Sequence, residues 1–512
     1  MKNAGKENEF HSRYEAAVKK VRSETGGTYP LYIGGRTVQA AGTFEVHSPS
    51  DSSLLIGRFQ NCSGRDVSAA VESAADAFEG WSRTDYRARV SVVLRAAALI
   101  EEGKFELAAL MSMENGKNRY ESVADVDEAI DFLRYYSELM TINKGYRVAM
   151  GSSAPGEENH SSMKPYGVWG VISPFNFPLA ISTGMTTGAI ITGNAAVLKP
   201  ASATPSLSFR LHEAFMRAGL PAGVLNYITG PGATVGNELV SNSGVSGIAF
   251  TGSREVGLKS MRKFTEKTFK PFIAELGGKN VVIVSAKADI ARAVEGTARA
   301  AFGFGGQKCS AASRVLVNSH VRDEFVDRLV SYTGSITVGD PTERGTYLGP
   351  LISREAVAKF EKAVTDARES GRILSGGRVL REGAYARGNY VQPTLADRLP
   401  FDSPLFMEEL FLPFLCIGEY DRLDEAIDIA NSVDYGLTAG IFSKDSAEVE
   451  SFFEGTQAGV CYANKQGGAT TGAMVGSQPF VGWKMSGSTG KGAGGLYYLA
   501  QFMREQSQAV YG

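Results

Sequence analysis

The 512-residue sequence is poor in cysteine, histidine and tryptophan, with 4, 5 and 3 of each, and it carries a net charge of only -2 at pH 7. The cysteines, Cys62, Cys309, Cys416 and Cys461, lie far apart with no CxxC spacing, which argues against a disulfide framework and a thiolate zinc site. The histidines form no HExxH or other close pair, so no metal site is expected. The near-neutral charge offers no basic field for nucleic acid or anionic lipid, and no run of about 18 apolar residues is available to span a membrane. The opening "MKNAGKENEFHSRYE" lacks the apolar core of a signal peptide. These absences predict a cytoplasmic protein whose partner is a small molecule, with neither a nucleic-acid nor a membrane partner.

Hydrophobic residues make up 43% and charged residues 21% of the chain, the balance of a soluble globular protein. The length predicts about two to four domains. After a charged N-terminal arm, Leu31 to Gln39 and "TFEVHSPS" read as short strands. Amphipathic helices follow around Val67 to Phe78, Arg87 to Glu102 and Glu121 to Met140. From Gly167 apolar strands alternate with helices, through "GVWGVISPF", "AAVLKP", a helix over Ser206 to Ala218, "VLNYITG", "GIAFTGS" and "KPFIAELG". This is the pattern of a doubly wound parallel sheet. A second run begins at "NVVIVSA", passes through a helix over Ile290 to Phe302 and "RVLVNS", and predicts a second α/β domain. The polar segment 151–165 and the Gly/Ser/Lys-rich tail are too short for a core of their own and read as arms that pair with a partner subunit.

Four local patterns carry chemistry. In "GFGGQKCSAASR", Cys309 follows two glycines, Gln307 and Lys308, where a helix should give way to a loop. It is either an inert buried thiol or a nucleophile beside free backbone N–H groups that lower its pKa or bind an oxyanion. In "AELGGKN", Glu275 ends an apolar strand and is either a salt-bridged carboxylate or a general base projecting into a cleft. In "SPFNFP", the Asn176 amide either stabilises a turn or donates to a ligand. "FTGSREVG" is a strand, a turn and a helix start suited to a phosphate, although such turns are common by chance.

Taken together and in order, "SPFNFPLA", "LKPAS", "TGSREVG", "ELGGKN", "GQKCSAASR", "EELFLP" and "NK…QPFVGWKMSG" resemble the aldehyde dehydrogenase superfamily from about Leu31 to Gln506. The resemblance implies an α/β aldehyde dehydrogenase fold. Its parts would be a Rossmann-like NAD(P)-binding domain over 1–150 and 166–276, an α/β catalytic domain over 277–478, and small oligomerisation arms over 151–165 and 486–512. A homodimer or homotetramer is expected. By the same resemblance Cys309 attacks an aldehyde carbon, the Asn176 amide and the Cys309 N–H hold the oxyanion, and Glu275 activates the water that hydrolyses the thioester.

For the cofactor, the resemblance puts Lys199 near the adenosine ribose, Gly252 and Ser253 near the pyrophosphate, Trp169 at the cofactor cleft, and Glu409 with Phe411 around the nicotinamide ribose. Many NAD-preferring members carry a glutamate where this chain has Ser202. Loss of that carboxylate removes repulsion of a 2′-phosphate and predicts that NADP is accepted alongside NAD, unless another group restores the grip on NAD. The C-terminal block is most similar to the 1-pyrroline-5-carboxylate (glutamate γ-semialdehyde) dehydrogenase branch. That similarity implies a substrate carboxylate held by Gly472, Ala473 and Ser310, an aldehyde tunnel lined by Phe177 and Phe480, and Glu128 nearby. Three departures, a longer loop around "NKQGGATTGA", Leu412 in place of glycine and Val481 in "PFVG", leave succinate semialdehyde or an aromatic aldehyde as alternatives. A catalytically silent binding protein is the remaining alternative, disfavoured by the intact Cys309, Glu275 and Asn176.

Overall fold

Two seven-stranded sheets carry the chain, which the computed structural model describes over residues 4–467 and 474–512. The first sheet runs Phe272–Glu275, Val245–Thr251, Val168–Ile172, Ala195–Lys199, Leu225–Tyr227, Leu31–Ile33 and Arg36–Val38. Its first five strands are parallel, and the hairpin Leu31–Ile33/Arg36–Val38 closes one edge antiparallel. Helices cover the parallel strands, so "AAVLK" is buried at every position and reads as an unbroken apolar run. Val168–Ile172 comes first in sequence among the parallel strands and has later strands on both sides. The strand order therefore reverses beside it, at the point where open α/β sheets bind ligands beyond the carboxyl ends of their strands.

The second sheet runs Arg372–Ser375, Thr394–Asp397, Phe414–Tyr420, Ala312–Asn318, Asn280–Val284, Thr438–Phe442 and Val460–Ala463. All its pairings are parallel except that of Arg372–Ser375. The last strand of the first sheet and a central strand of the second are separated only by Leu276 to Lys279. The two sheets thus meet at the glycines of "ELGGKN".

The expected helices extend over Gly64–Trp81, Tyr86–Glu102 and Arg119–Ile142. Two elements differ from expectation. Lys104–Asn115 is a further helix, and the N-terminal segment is a 21-residue helix, Ala4–Glu24, rather than an arm. Tyr14, Ala17 and Val21 recur at helical spacing and are buried, and the Tyr14 hydroxyl donates to Ser112 Oγ at 2.5 Å. That narrow stripe is easily lost among the surrounding charges.

The polar arms pair within the chain. Glu157–Pro165 lies antiparallel to Met503–Tyr511 along nine residue pairs and, on its other side, to Arg147–Met150. Ser486 to Phe502, also expected in the arm, packs back toward the sheet junction instead. There Ser486 Oγ donates to Gly277 O at 2.7 Å and Ser488 Oγ to Phe272 O at 2.7 Å.

Candidate active site

The carboxyl edge of the first sheet brings distant parts of the sequence side by side. Ile172 is registered with Lys199 and with Phe250, and Thr251 with Glu275. Asn176 follows the first of these strands, Gly252 and Ser253 follow the third, and Glu275 ends the fourth. Opposite them, Cys309 lies three residues before the strand Ala312–Asn318 of the second sheet.

Helix Ile290–Phe302 ends at Gly303, and the chain then reverses through three left-handed residues, Phe304 (φ 49°), Gly305 (φ 62°) and Gly306 (φ 66°). Glycine is required at 306 for a second reason, because a Cβ there would run into the Leu412 carbonyl, with the Leu412 carbon at 2.6 Å. The backbone at Cys309 is clamped. Asn280 Nδ2 donates to Cys309 O at 2.7 Å and Ala311 O at 3.0 Å, while Asn280 Oδ1 accepts from Thr438 N at 2.9 Å. Burial, with Glu409 and Glu275 nearby, pushes the thiol well up, and the Ser310 N–H opposes this only in part. Lys308, next to Cys309 in sequence, is paired with Glu121 at 2.7 Å.

Cys309, Ser310, Glu275, Phe177 and Phe480 line one cavity. Its other walls include Glu128, Phe132, Met185 and Tyr498, of which sequence reasoning had named only Glu128. Phe132 was legible as the apolar face of its helix. Tyr498 was not, because its place depends on the C-terminal segment folding back. Glu275 Oε2 is sealed from solvent and has no hydrogen-bond partner among the described residues, and burial raises the carboxyl pKa well above its ordinary range despite a Gly482 N–H that opposes it. Some of the residue's remaining surface stays accessible. A carboxyl group with one oxygen free of partners among the described residues, in an apolar cavity beside a thiol, is suited to proton transfer. Asn176 is buried at 3% exposure, and its loop is braced by Asn115 Nδ2 donating to Phe175 O at 3.4 Å. Gly472 and Ala473 lie outside the described residues.

The cofactor candidates divide. Lys199 is buried, its pKa is brought down to about 8 by burial, and among the described residues it makes no ion pair, donating only to Pro200 O at 3.0 Å. It retains donors for a sugar hydroxyl. Ser202 Oγ donates to Gly230 O at 2.9 Å. Ser253 caps helix Arg254–Thr265 by accepting from Val256 N, so that helix opens at the reversal of strand order, where its N-terminus suits a phosphate. Glu409 Oε1 accepts from Gly278 N at 2.9 Å, and Phe411 (φ 60°) stands edge-on to Phe175 at 5.8 Å. These residues fit a dinucleotide laid across the carboxyl edge. Trp169 does not join them. It is fully buried in the helical-layer core, its ring packed on Phe502 at 4.5 Å and Tyr166 at 6.2 Å, because it faces inward from mid-strand.

Residues 37–507 match the sequence profile of the aldehyde dehydrogenase family. The chain belongs to that family. This aldehyde dehydrogenase is 39% identical over 498 residues to the 1-pyrroline-5-carboxylate dehydrogenase of Geobacillus kaustophilus, which covers 96% of this chain and 95% of the relative. Its fold superposes on a crystal structure of 1-pyrroline-5-carboxylate dehydrogenase from Thermus with bound NAD at a TM-score of 0.94 and 36% identity, covering 98% of this chain and 96% of the other. A betaine aldehyde dehydrogenase from Staphylococcus aureus in complex with NAD+ is also similar, at a TM-score of 0.89 and 28% identity, covering 94% of each chain. Among the described residues of this aldehyde dehydrogenase, no helix is long and apolar enough to cross a membrane, and no group of three or more His, Cys, Asp or Glu could hold a metal ion.

Proposed function

We propose that this NAD(P)-dependent aldehyde dehydrogenase oxidises glutamate γ-semialdehyde, the open-chain form of 1-pyrroline-5-carboxylate, to glutamate. The observation that carries the proposal is the single cavity shared by Cys309, Ser310, Glu275 and two phenylalanines. The similarity to 1-pyrroline-5-carboxylate dehydrogenases along nearly the whole chain supports it.

Cys309 gives up its proton to water and its sulfur attacks the aldehyde carbon, giving a thiohemiacetal whose oxyanion is held by the Asn176 amide and the Cys309 N–H. A cofactor held by Lys199, Gly252, Ser253, Glu409 and Phe411 supplies the hydride acceptor. The thioester left on Cys309 is attacked by a water that gives its proton to Glu275, which releases the acid and restores the thiol. Phe177 and Phe480 exclude bulk water, and Ser310, with Gly472 and Ala473, takes the substrate's carboxylate. Ser202 leaves room for NADP beside NAD.

Residues 1–150 and 166–276 form the cofactor domain and 277–478 the catalytic domain. The small sheet holding Glu157–Pro165 and Met503–Tyr511 is the assembly arm of a homodimer or homotetramer. Support for the arm comes from its outer strands, whose Val148, Met150, Val510 and Tyr511 are all more than half exposed.

The test is an aldehyde panel of glutamate γ-semialdehyde, succinate semialdehyde and benzaldehyde with NAD and NADP in parallel. A much higher kcat/KM for the glutamate semialdehyde is expected. Equal values for benzaldehyde would overturn the carboxylate anchor.

A further inference from the structure

Helix Arg119–Ile142 directs four side chains to the reaction site at helical spacing, Glu121, Asp125, Glu128 and Phe132. Glu128 and Phe132 line the cavity. Asp125 serves the wall that carries Asn176 and Phe177. Its Oδ1 accepts from Ala180 N at 2.8 Å, at the start of the helix behind "PFNFP", and its Oδ2 pairs with Lys117 at 2.5 Å. The Lys117 ammonium in turn stands 3.6 Å from the centre of the Phe177 ring.

Glu121 serves the opposite wall. Its Oε1 pairs with Lys308 Nζ at 2.7 Å, and its Oε2 accepts from Phe304 N at 3.1 Å and from Asn118 Nδ2 at 3.2 Å. One carboxylate therefore grips the turn before Cys309 at both ends, at the residue that starts the left-handed run and at the one adjoining the thiol. The grip matters because Phe304 adopts a backbone conformation that disfavours any residue with a Cβ, so the turn needs an outside hold to persist. The pair is well shielded, with side-chain exposures of 6% for Lys308 and 21% for Glu121.

We propose that Glu121 is a positioning residue for the reaction, locking the turn from Phe304 to Lys308 so that Cys309 is aimed at the aldehyde, in register with the Asn176 wall held by Asp125. This rests on Cys309 being the nucleophile.

The test compares Glu121→Ala, Glu121→Gln, Lys308→Gln and Cys309→Ala in the full chain. It reads kcat, KM, cofactor Kd and the pH dependence of Cys309 alkylation by iodoacetamide, well below each variant's unfolding temperature. Glu121→Ala is expected to lower both kcat and the alkylation rate by about tenfold or more while cofactor Kd moves less than about twofold. Glu121→Gln keeps an acceptor for Phe304 N and should fall between Glu121→Ala and the parent. Adding Lys308→Gln to Glu121→Gln should cost little more, since both remove one contact. An inactive Cys309→Ala with Glu121→Ala at parental kcat and alkylation profile overturns the positioning role alone. An active Cys309→Ala overturns the nucleophile and this inference with it. Should Glu121→Ala not fold, parental kcat and alkylation in both Glu121→Gln and Lys308→Gln overturn the proposal.

Discussion

Gly305 and Gly306 are neighbours in the turn before Cys309, with nearly the same backbone conformation, φ 62° and 66°, yet their surroundings differ sharply. Among the described residues, a Cβ on Gly305 would meet only Gln307 Nε2 at 3.6 Å and Leu351 Cδ2 at 3.7 Å, which is ordinary contact. On Gly306 it would meet the Leu412 carbonyl well inside van der Waals distance and Pro413 N at 3.1 Å, both main chain and unable to swing aside. Gly305→Ala should therefore cost the left-handed penalty alone, about 1–2 kcal/mol. Gly306→Ala adds an overpacking cost of about 1–3 kcal/mol, for a total of about 2–5 kcal/mol. If the turn yields instead of unfolding, Cys309 moves, and a displacement of about 1 Å lowers kcat by about 100-fold. The clash also pushes on Leu412, next to Phe411, so the cofactor KM should rise in Gly306→Ala and not in Gly305→Ala. Denaturant unfolding and steady-state kinetics on both variants check this. Equal stabilities and equal kcat values for the two would refute the close approach of Leu412 and the role given to the turn.

The remaining predictions concern charge. Burial raises the Glu275 pKa, so its carboxylate is lost as pH falls through that raised value, and kcat should decline on the acid side well above the ordinary carboxylate range. The same shift means that the native state is favoured by the protonated form. Its contribution is full below the ordinary pKa and is lost as pH rises through the raised one, so Glu275→Gln should unfold at higher temperature than the parent at alkaline pH while losing about 100-fold or more in kcat. Ser202→Glu should move the NAD/NADP ratio of kcat/KM toward NAD by about tenfold or more, and an unchanged ratio would remove Ser202 from the cofactor site. Lys117→Met leaves Asp125 buried without its cation, and urea titration should show a loss of about 3–5 kcal/mol.

Much of the architecture is visible in the residues themselves. Buried parallel strands read as apolar runs, and helices Gly64–Trp81 and Tyr86–Glu102 carry an apolar face, whereas Lys104–Asn115 is buried at every position from Ala108 on and shows none. Helix Ala4–Glu24 is hidden because its buried stripe, Tyr14, Ala17 and Val21, is one residue wide among charges. Cys309, Glu275 and Asn176 could be named because each follows a distinctive local pattern, and it is their order along the chain, through the family resemblance, that points each toward the reaction. Contacts between distant segments left no local trace. Nothing near Lys308 announces Glu121, 187 positions away, and nothing near Trp169 distinguishes a cleft residue from the inward-facing core residue it is. The raised pKa of Cys309 likewise leaves no local trace, since burial and the carboxyl groups of Glu409 and Glu275 outweigh the neighbours in sequence.

The central claim is that Cys309 carries the substrate as a thioester that Glu275 is needed to hydrolyse. Mass spectrometry of Glu275→Gln, incubated with glutamate γ-semialdehyde and NAD or NADP, tests it most directly. One acyl group per chain on the peptide containing Cys309, formed with a single equivalent of reduced cofactor, is the predicted result. Reduced cofactor accumulating over many turnovers, or an acyl-free Cys309 after the first, would contradict it.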